Sequence, residues 1–310
     1  TPLYSSAASD VYKRQVYHNA LKHYAKPVAN AVGMLADKII ENKGKKMVLV
    51  SLARAGIPIG ILVKRYIKFK YGINVPHYSI SIIRGRGIDD NAMKYLLEKY
   101  RPQQILFVDG WIGKGAILNE LKKDISAYEG VSADIAVVAD PANVTELCGT
   151  HEDILIPSSC LNSTVSGLIS RTFLRDDIIG RDDFHGAVYY GELTDSDLSY
   201  DFIETIEKEF NMENTPDLEK RVESQGIDEV INIGKNFGID DINLIKPGIG
   251  ETTRVLLRRI PWKVLIDERY KGNPQLEHIV RLAEEKHTPV EYYPLTHYKC
   301  CGIIKKLADA

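Results

Sequence analysis

The chain has 310 residues, of which 44% are hydrophobic and 26% are charged, and its formal net charge is −2. This composition is typical of a globular protein long enough for two hydrophobic cores, and the near-neutral charge excludes tight, non-specific nucleic-acid binding by the whole molecule. No apolar run approaches the roughly 20 residues that span a bilayer, so we expect a cytoplasmic protein that is not inserted in a membrane.

The first 15 residues, TPLYSSAASDVYKRQ, have no hydrophobic period and resemble sequence that derives from a library adapter, so we predict a non-native tail at 1–15. From Val16 to about Glu41, apolar residues recur at helical spacing and predict a helix with a kink at Pro27.

We place one domain, truncated at its N-terminus, at 16–214 and a second at 215–310, because the segment NMENTPD before Leu218 is polar.

Apolar runs and helical patterns alternate through the first domain. Strands are predicted at 47–52, 77–83, 105–108 and 133–140, and helices at 61–69, 91–100 and after residue 117. This alternation predicts an α/β fold with a doubly wound parallel sheet. Beyond Pro141 the sequence predicts strands at 154–157 and 184–190, and helices at 158–173 and 198–210.

The second domain repeats the alternation on a smaller scale. Its predicted elements are a helix from about Leu218, strands at 242–247, 262–267 and 289–293, helices at 251–259 and 275–286, and a last helix. Such a pattern predicts a smaller α/β/α layer domain.

Three loops that follow predicted strands carry charged residues or glycines. The carboxyl ends of parallel strands meet at one edge of a sheet, so we expect these loops to form one ligand site. Cationic loops suit a pyrophosphate, a carboxylate can accept hydrogen bonds from ribose hydroxyls, and a glycine-rich turn before a helix can hold a phosphate. These residues are Arg54, Ala55 and Gly56; Arg84 and Arg86; and Asp109, Gly110, Gly113, Lys114, Gly115 and Ala116.

The second and third of these loops resemble the flexible and phosphoribosyl-pyrophosphate loops of type I phosphoribosyltransferases, and the first resembles their pyrophosphate loop. More closely, five motifs in this order resemble the StiP family, a phosphoribosyltransferase-like group associated with tellurite resistance: SLARAGIPIG, HYSISIIRGRGID, FVDGWIGKGAI, IPSSCLNSTVSGLISRT and DFHGA. The resemblance implies Mg²⁺-dependent phosphoribosyl transfer from phosphoribosyl pyrophosphate to an unknown acceptor.

On this interpretation, Asp109 binds ribose, Lys114 and the loop amides bind the 5′-phosphate, and Arg54, Arg84 and Arg86 stabilise the leaving pyrophosphate. Ser163, Thr164 and Ser166 are further candidate contacts.

The loop departs from ordinary type I enzymes because Gly110 occupies the place of a second acid. Two other functions therefore stay open. One is a nucleotide-sensing module without catalysis. The other is a cysteine protease, the label that StiP proteins also carry, with Cys160 as nucleophile, His185 as base and Asp183 or Asp140 orienting the imidazole. A lone cysteine is more often a small buried residue.

The segment LIKPGIGETTRVLLRRIPWKVLI resembles the Pelota-type RNA-binding domain. The resemblance implies binding of structured RNA through 215–310, with cations and backbone amides near the start of a helix as the contacts. The alternative is a protein-interaction domain of the same fold. The predicted RNA-binding residues are Lys246, Gly248, Gly250, Thr252, Arg254 and Arg258.

Overall fold

The computed structural model describes residues 2–215 and 223–305. The elements in chain order are α1 Pro2–Lys43, β1 Val48–Ala53, α2 Gly56–Tyr71, β2 His77–Ile83, β3 Gly87–Ile88, α3 Asp90–Lys99, β4 Ile105–Trp111, α4 Ala116–Ile125, β5 Ile135–Ala139, β6 Cys148–Thr150, α5 Ser199–Glu207, α6 Gly226–Phe237, β7 Ile245–Pro247, α7 Ile249–Arg258, β8 Pro261–Ile266, α8 Glu277–Glu285, β9 Val290–Tyr292 and β10 Cys300–Ile304.

The first domain is built on a mostly parallel sheet. In the described residues this sheet has six strands in the order β3-β2-β1-β4-β5-β6, and only β3 runs antiparallel to its neighbour. The central strands are apolar on both faces because helices cover both: Leu106 packs with α1 and α2, whereas Phe107 packs with α3 and α4. This α/β architecture agrees with the predicted alternation.

Two boundaries in the first domain differ from the prediction. The first helix begins at Pro2 instead of Val16, so it includes the segment set aside as a tail. Strand β4 continues through Asp109 to Trp111, and Asp109 is in register with Val137 of β5. Asp109 therefore lies within the strand rather than in the turn that follows it.

The segment from 154 to 190 was predicted wrongly. Instead of a strand and a helix, it has short 3-10 turns at Pro157–Cys160 and Ser163–Val165. The predicted strand at 184–190 makes only two isolated bridges to the preceding segment, Ile169 to Tyr189 and Phe173 to Gly186. Hydroxyl side chains here bond to nearby backbone, as when Ser166 donates to the carbonyl of Asn162, and such bonds compete with a regular helix.

The second domain has its own sheet, with the order β7-β10-β8-β9 in the described chain. The predicted last helix is wrong, because that segment is strand β10, which pairs antiparallel with β7 and β8. Cys300 and Cys301 are adjacent on this strand and pack into different clusters. The helix predicted from about Leu218 falls partly on 216–222, which lie outside the described residues, and α6 begins at Gly226.

The two domains share a hydrophobic core. Ile249 and Leu256 of α7 belong to the same buried cluster as Leu35 of α1 and Leu106 of β4. The carboxylate of Asp153 joins them as well, because it accepts hydrogen bonds from the backbone N–H groups of Ile249 and Lys299, at 2.9 and 2.8 Å. The second domain therefore packs directly on the carboxyl edge of the first sheet. Among residues 2–215 and 223–305, no helix has the length and apolar character needed to cross a bilayer.

Candidate functional site

A cleft lies between the carboxyl edge of the first sheet and helix α7 of the second domain. It consists of a larger chamber of about 440 Å³ and a smaller chamber of about 240 Å³. Ala55, Arg84, Trp111 and Arg254 line both chambers, so the two volumes adjoin. The guanidinium of Arg254 lies 5.9 Å from the centre of the Trp111 ring and forms part of the wall between them.

The cleft is strongly cationic. In the described chain, no carboxylate lines the larger chamber, whereas Asp109 and Glu251 line the smaller one. Burial and the nearby charges of Arg171 and Arg254 lower the pKa of Arg54. Mutual repulsion of this kind is relieved by a bound anion. The cations that line the cleft are Arg54, Arg84, Lys114, Arg171, Lys246 and Arg254.

Asp109 lies in the smaller chamber, as predicted for a ribose contact. Its Oδ1 accepts a hydrogen bond from the backbone N–H of Gly110 at 2.8 Å. Burial nevertheless raises the pKa of Asp109 to about 7, while the nearby Arg254 opposes this rise. The carboxyl group therefore titrates near neutral pH, a property common at functional sites.

The loop before α4 also reaches the smaller chamber, but the predicted role of Lys114 needs correction. Its ammonium donates hydrogen bonds to the carbonyls of Ile242 and Ile245, the latter at 3.1 Å. The hydroxyl of Tyr298 donates to the carbonyl of Gly113 at 2.7 Å. Lys114 thus fastens the loop to the second domain and leaves the backbone at Gly115 and Ala116 to face the chamber.

The arginine-bearing hairpin between β2 and β3 contributes only one of its two arginines. Arg84 lines both chambers and donates to Oδ1 of Asn243 in the second domain at 2.9 Å. Arg86 lies exposed at the tip of the turn and is not among the lining residues. The assignment of Arg86 as a pyrophosphate contact is therefore wrong in this conformation.

Gly56 serves close packing rather than ligand contact. A Cβ atom there would lie 2.4 Å from the carbonyl oxygen of Val108, so only glycine lets α2 approach β4 this closely.

Hydroxyl groups line the larger chamber, and of the three hydroxyl residues named from the sequence only Ser166 is among them in the described chain. Ser163 and Thr164 are absent from its wall, and their carbonyls accept backbone bonds from Leu168 and Leu198 instead. Ser158 and Ser159 line the chamber beside Ser166. The Oγ of Ser159 is buried and, in the described part of the chain, has no hydrogen-bond partner.

The surface predicted to bind RNA is turned toward the first domain. Arg258 donates to Oδ1 of Asn162 at 2.6 Å and to the carbonyl of Ser159 at 3.2 Å. Thr252 is fully buried, and a Cβ on Gly248 or Gly250 would meet Asp153 or Ser159. Arg254 and Lys246 reach the cleft. These six residues thus form a domain contact and a cleft wall, not a free surface.

The predicted protease pair is not assembled. Cys160 is fully buried in the core, and burial raises the pKa of its thiol to about 12. The ring of His185 is hydrogen-bonded through Nδ1 to the hydroxyl of Ser81 at 2.8 Å. Asp183 accepts from the backbone of Gly180, not from this ring. In the described chain no hydrogen bond joins Cys160 to His185.

A different cysteine and histidine do meet. Cys148 Sγ lies 3.4 Å from His151 Nε2, beside the carboxylate of Asp140. The signal in the sequence that could have pointed to this group is the spacing Cys148-x-x-His151, shortly after the predicted strand at 133–140.

Two family models match this chain, each over a different segment. A family model described as "Tellurite-like stress resistance cysteine protease StiP" matches residues 4–207, and one described as "PELOTA RNA binding domain" matches 224–306. A protein of Acinetobacter baylyi named cysteine protease StiP is 31% identical over 314 residues, which cover 94% of this chain and 81% of that protein.

Similarity to solved structures is low. A hypoxanthine-guanine phosphoribosyltransferase from Bacillus anthracis is 17% identical and has a TM-score of 0.30, with 39% of this chain and 71% of that chain covered. A likeness at this level supports no functional argument.

Proposed function

We propose that this chain, which belongs to the StiP family, binds a phosphorylated ribose in its cleft, with phosphoribosyl pyrophosphate as the test ligand, and transfers the ribosyl group to an acceptor. The observation that carries the proposal is the set of cations around the half-buried carboxylate of Asp109, at the carboxyl edge of a parallel sheet. Helices cover both faces of that sheet, which supports the proposal of a doubly wound domain.

The two chambers differ in a way that suits the two ends of this ligand. The smaller chamber offers the Asp109 carboxylate for ribose hydroxyls and the backbone at the start of α4 for the 5′-phosphate. The larger chamber offers Arg54 and Arg171 with no opposing carboxylate in the described chain, which favours a pyrophosphate. Arg84 and Arg254 line both chambers and so contact either end.

In the proposed reaction, an acceptor nucleophile bonds to ribose C1 while the C1–oxygen bond to pyrophosphate breaks. Arg54, Arg84 and Arg254 would stabilise the charge that develops on the leaving group. The available oxygens fit Mg²⁺, because Asp109 and Glu251 supply carboxylates beside the phosphate position. When bound, the ion would neutralise negative charge on the phosphorylated ligand.

The protease activity named for the family has less support in this chain. The four cysteines are all buried, and none lines either chamber. A thiol nucleophile needs access to substrate and a lowered pKa, whereas burial raises the pKa of Cys160, Cys300 and Cys301.

The second domain is proposed to complete the cleft through Lys246 and Arg254. RNA binding by this domain stays a prediction, and it would require a surface other than the six residues named from sequence.

Calorimetry with phosphoribosyl pyrophosphate and Mg²⁺ tests the binding step. We expect Arg84→Ala to weaken binding at least tenfold. Arg86→Ala should leave binding unchanged, because Arg86 is only two residues further along the same turn but lies outside the cleft. Equal effects of the two variants, or no binding by the wild type, would refute the proposal. Release of pyrophosphate with candidate acceptors tests the transfer step, and binding without release under any acceptor would favour a sensor instead.

A further inference from the structure

A compact group of three potential metal ligands lies outside the cleft, at the edge of the first sheet. Strands β5 and β6 pair in parallel, and the backbone N–H of Asp140 donates to the carbonyl of Thr150 at 2.9 Å. This register brings Asp140, which follows β5, beside Cys148 and His151 at the two ends of β6. One ligand atom from each residue lies within 4.8 Å of the others.

The carboxylate of Asp140 is only half satisfied. Its side chain is fully buried, and its Oδ2 accepts hydrogen bonds from the backbone N–H groups of Val144 and Thr145, at 2.7 and 2.8 Å. Its Oδ1 is buried as well, yet it has no hydrogen-bond partner within the described residues. A buried carboxylate oxygen without a partner carries a large desolvation cost, which a bound cation would remove.

The histidine ring is oriented for coordination. Its Nδ1 lies 2.9 Å from the backbone carbonyl of Asp140, so Nδ1 carries the proton and the Nε2 lone pair points toward Cys148. Metal-bound histidines usually donate their second ring N–H to a carbonyl or carboxylate in this way. The 3.4 Å between Sγ and Nε2 is also close to the roughly 3.5 Å expected between sulfur and nitrogen ligands of one tetrahedral Zn²⁺.

We propose that Asp140, Cys148 and His151 bind a divalent transition-metal ion of the Zn²⁺ class. Sulfur, imidazole nitrogen and carboxylate oxygen are the donors that Zn²⁺ takes, and three protein ligands leave one position for water or another small ligand. The imidazole is the partly exposed member, at 24% of its side-chain surface, and gives the ion a route from solvent. Because the three residues are absent from the walls of both chambers, the site is independent of the phosphate cleft.

The binding step itself is tested with the full chain after removal of metal by a chelator. Titration with Co²⁺ should give one ion per chain, with a thiolate-to-Co²⁺ charge-transfer band and the visible bands of tetrahedral Co²⁺, and Zn²⁺ should displace it. Cys148→Ala should abolish the charge-transfer band. Cys160→Ala is the matched control, since Cys160 is equally buried but belongs to the core cluster with α1, and it should leave the band unchanged.

Two further variants distinguish loss of metal binding from loss of the folded structure. His151→Ala alters a partly exposed ring, and Asp140→Asn keeps an oxygen that accepts from Val144 and Thr145; each should weaken Zn²⁺ binding at least tenfold while thermal unfolding of the metal-free protein stays cooperative. Zn²⁺ should raise the unfolding temperature of the wild type but not that of these variants.

Absence of Co²⁺ binding, or a band that survives in Cys148→Ala, would overturn the site. Rapid alkylation of Cys148 that depends on His151 and persists in saturating Zn²⁺ would also overturn it, because a coordinated thiolate is protected. That result would assign the pair to nucleophilic chemistry.

Discussion

Asp109→Asn provides a quantitative test of the site, because the carboxyl group is disfavoured as an anion in the folded chain. Burial raises its pKa from 3.8 to about 7. When the pKa of an acid is higher in the folded chain than in the unfolded chain, the protein is most stable at pH values below the unfolded-state pKa. Stability is then lost as the pH rises toward the folded-state pKa. A shift of this size corresponds to at most about 4 kcal/mol of unfolding free energy above pH 7.

Asparagine keeps the shape of the side chain and the oxygen that accepts from Gly110, but it has no charge to bury. We therefore expect Asp109→Asn to match the wild type near pH 4 and to be more stable above pH 7. The difference in unfolding temperature should widen between those limits, by roughly 2–4 °C for each kcal/mol, and then stay constant.

Circular dichroism during thermal unfolding, in steps from pH 4 to pH 9, measures this difference. The control is Asp182→Asn, which makes the same substitution at an exposed carboxylate. Parallel curves for wild type and Asp109→Asn would refute the reasoning. So would a variant that is less stable at pH 8, because it would mean that Arg254 stabilises the anion more than burial disfavours it.

Three other predictions follow from the domain contact and the cysteines. Lys114→Met should lower the unfolding free energy by about 2–3 kcal/mol, because it removes the part-buried hydrogen bonds of the ammonium to the carbonyls of Ile242 and Ile245. Unchanged stability together with weakened phosphate binding would instead support the phosphate contact predicted from the sequence. A thiol reagent should label the native chain slowly and all four cysteines in denaturant, and one fast cysteine would instead support the protease. Structured RNA should bind with an affinity that falls steeply with salt and is insensitive to Arg258→Ala; sensitivity of the folded variant would contradict the buried placement of this arginine.

The sequence predicts helices and strands well where the residues that become buried recur at regular positions along the chain. The apolar runs around Val50, Ile82 and Phe107 are strands because their side chains are buried on both faces, and this requirement is visible in the residues themselves. The last strand was mistaken for a helix because a short apolar run such as Cys300–Ile304 fits either element. This segment is a strand because it pairs with β7 on one side and β8 on the other, and that pairing cannot be read from the run itself.

The site was predictable in its location but not in the direction of each side chain. Asp109, Arg54 and Arg84 lie in the cleft because strand ends meet at one edge of the sheet, which the alternation of elements implies. Lys114 and Arg258 were assigned to phosphates because a cation after a glycine turn suits an anion. Their partners are instead carbonyl and amide oxygens of the other domain, and such contacts depend on how two distant segments pack.

The position of β10 in the second sheet has a consequence for synthesis on the ribosome. This strand is made after every other strand of its sheet, yet it lies between β7 and β8 and holds them together. Helix α7, which carries Arg254 into the cleft, packs on β10 with Gly302 against Thr252. A nascent chain that has not yet released residue 304 therefore lacks an ordered wall for its cleft. The complete anion site should therefore form only after β10 has left the ribosome, rather than with the first domain alone.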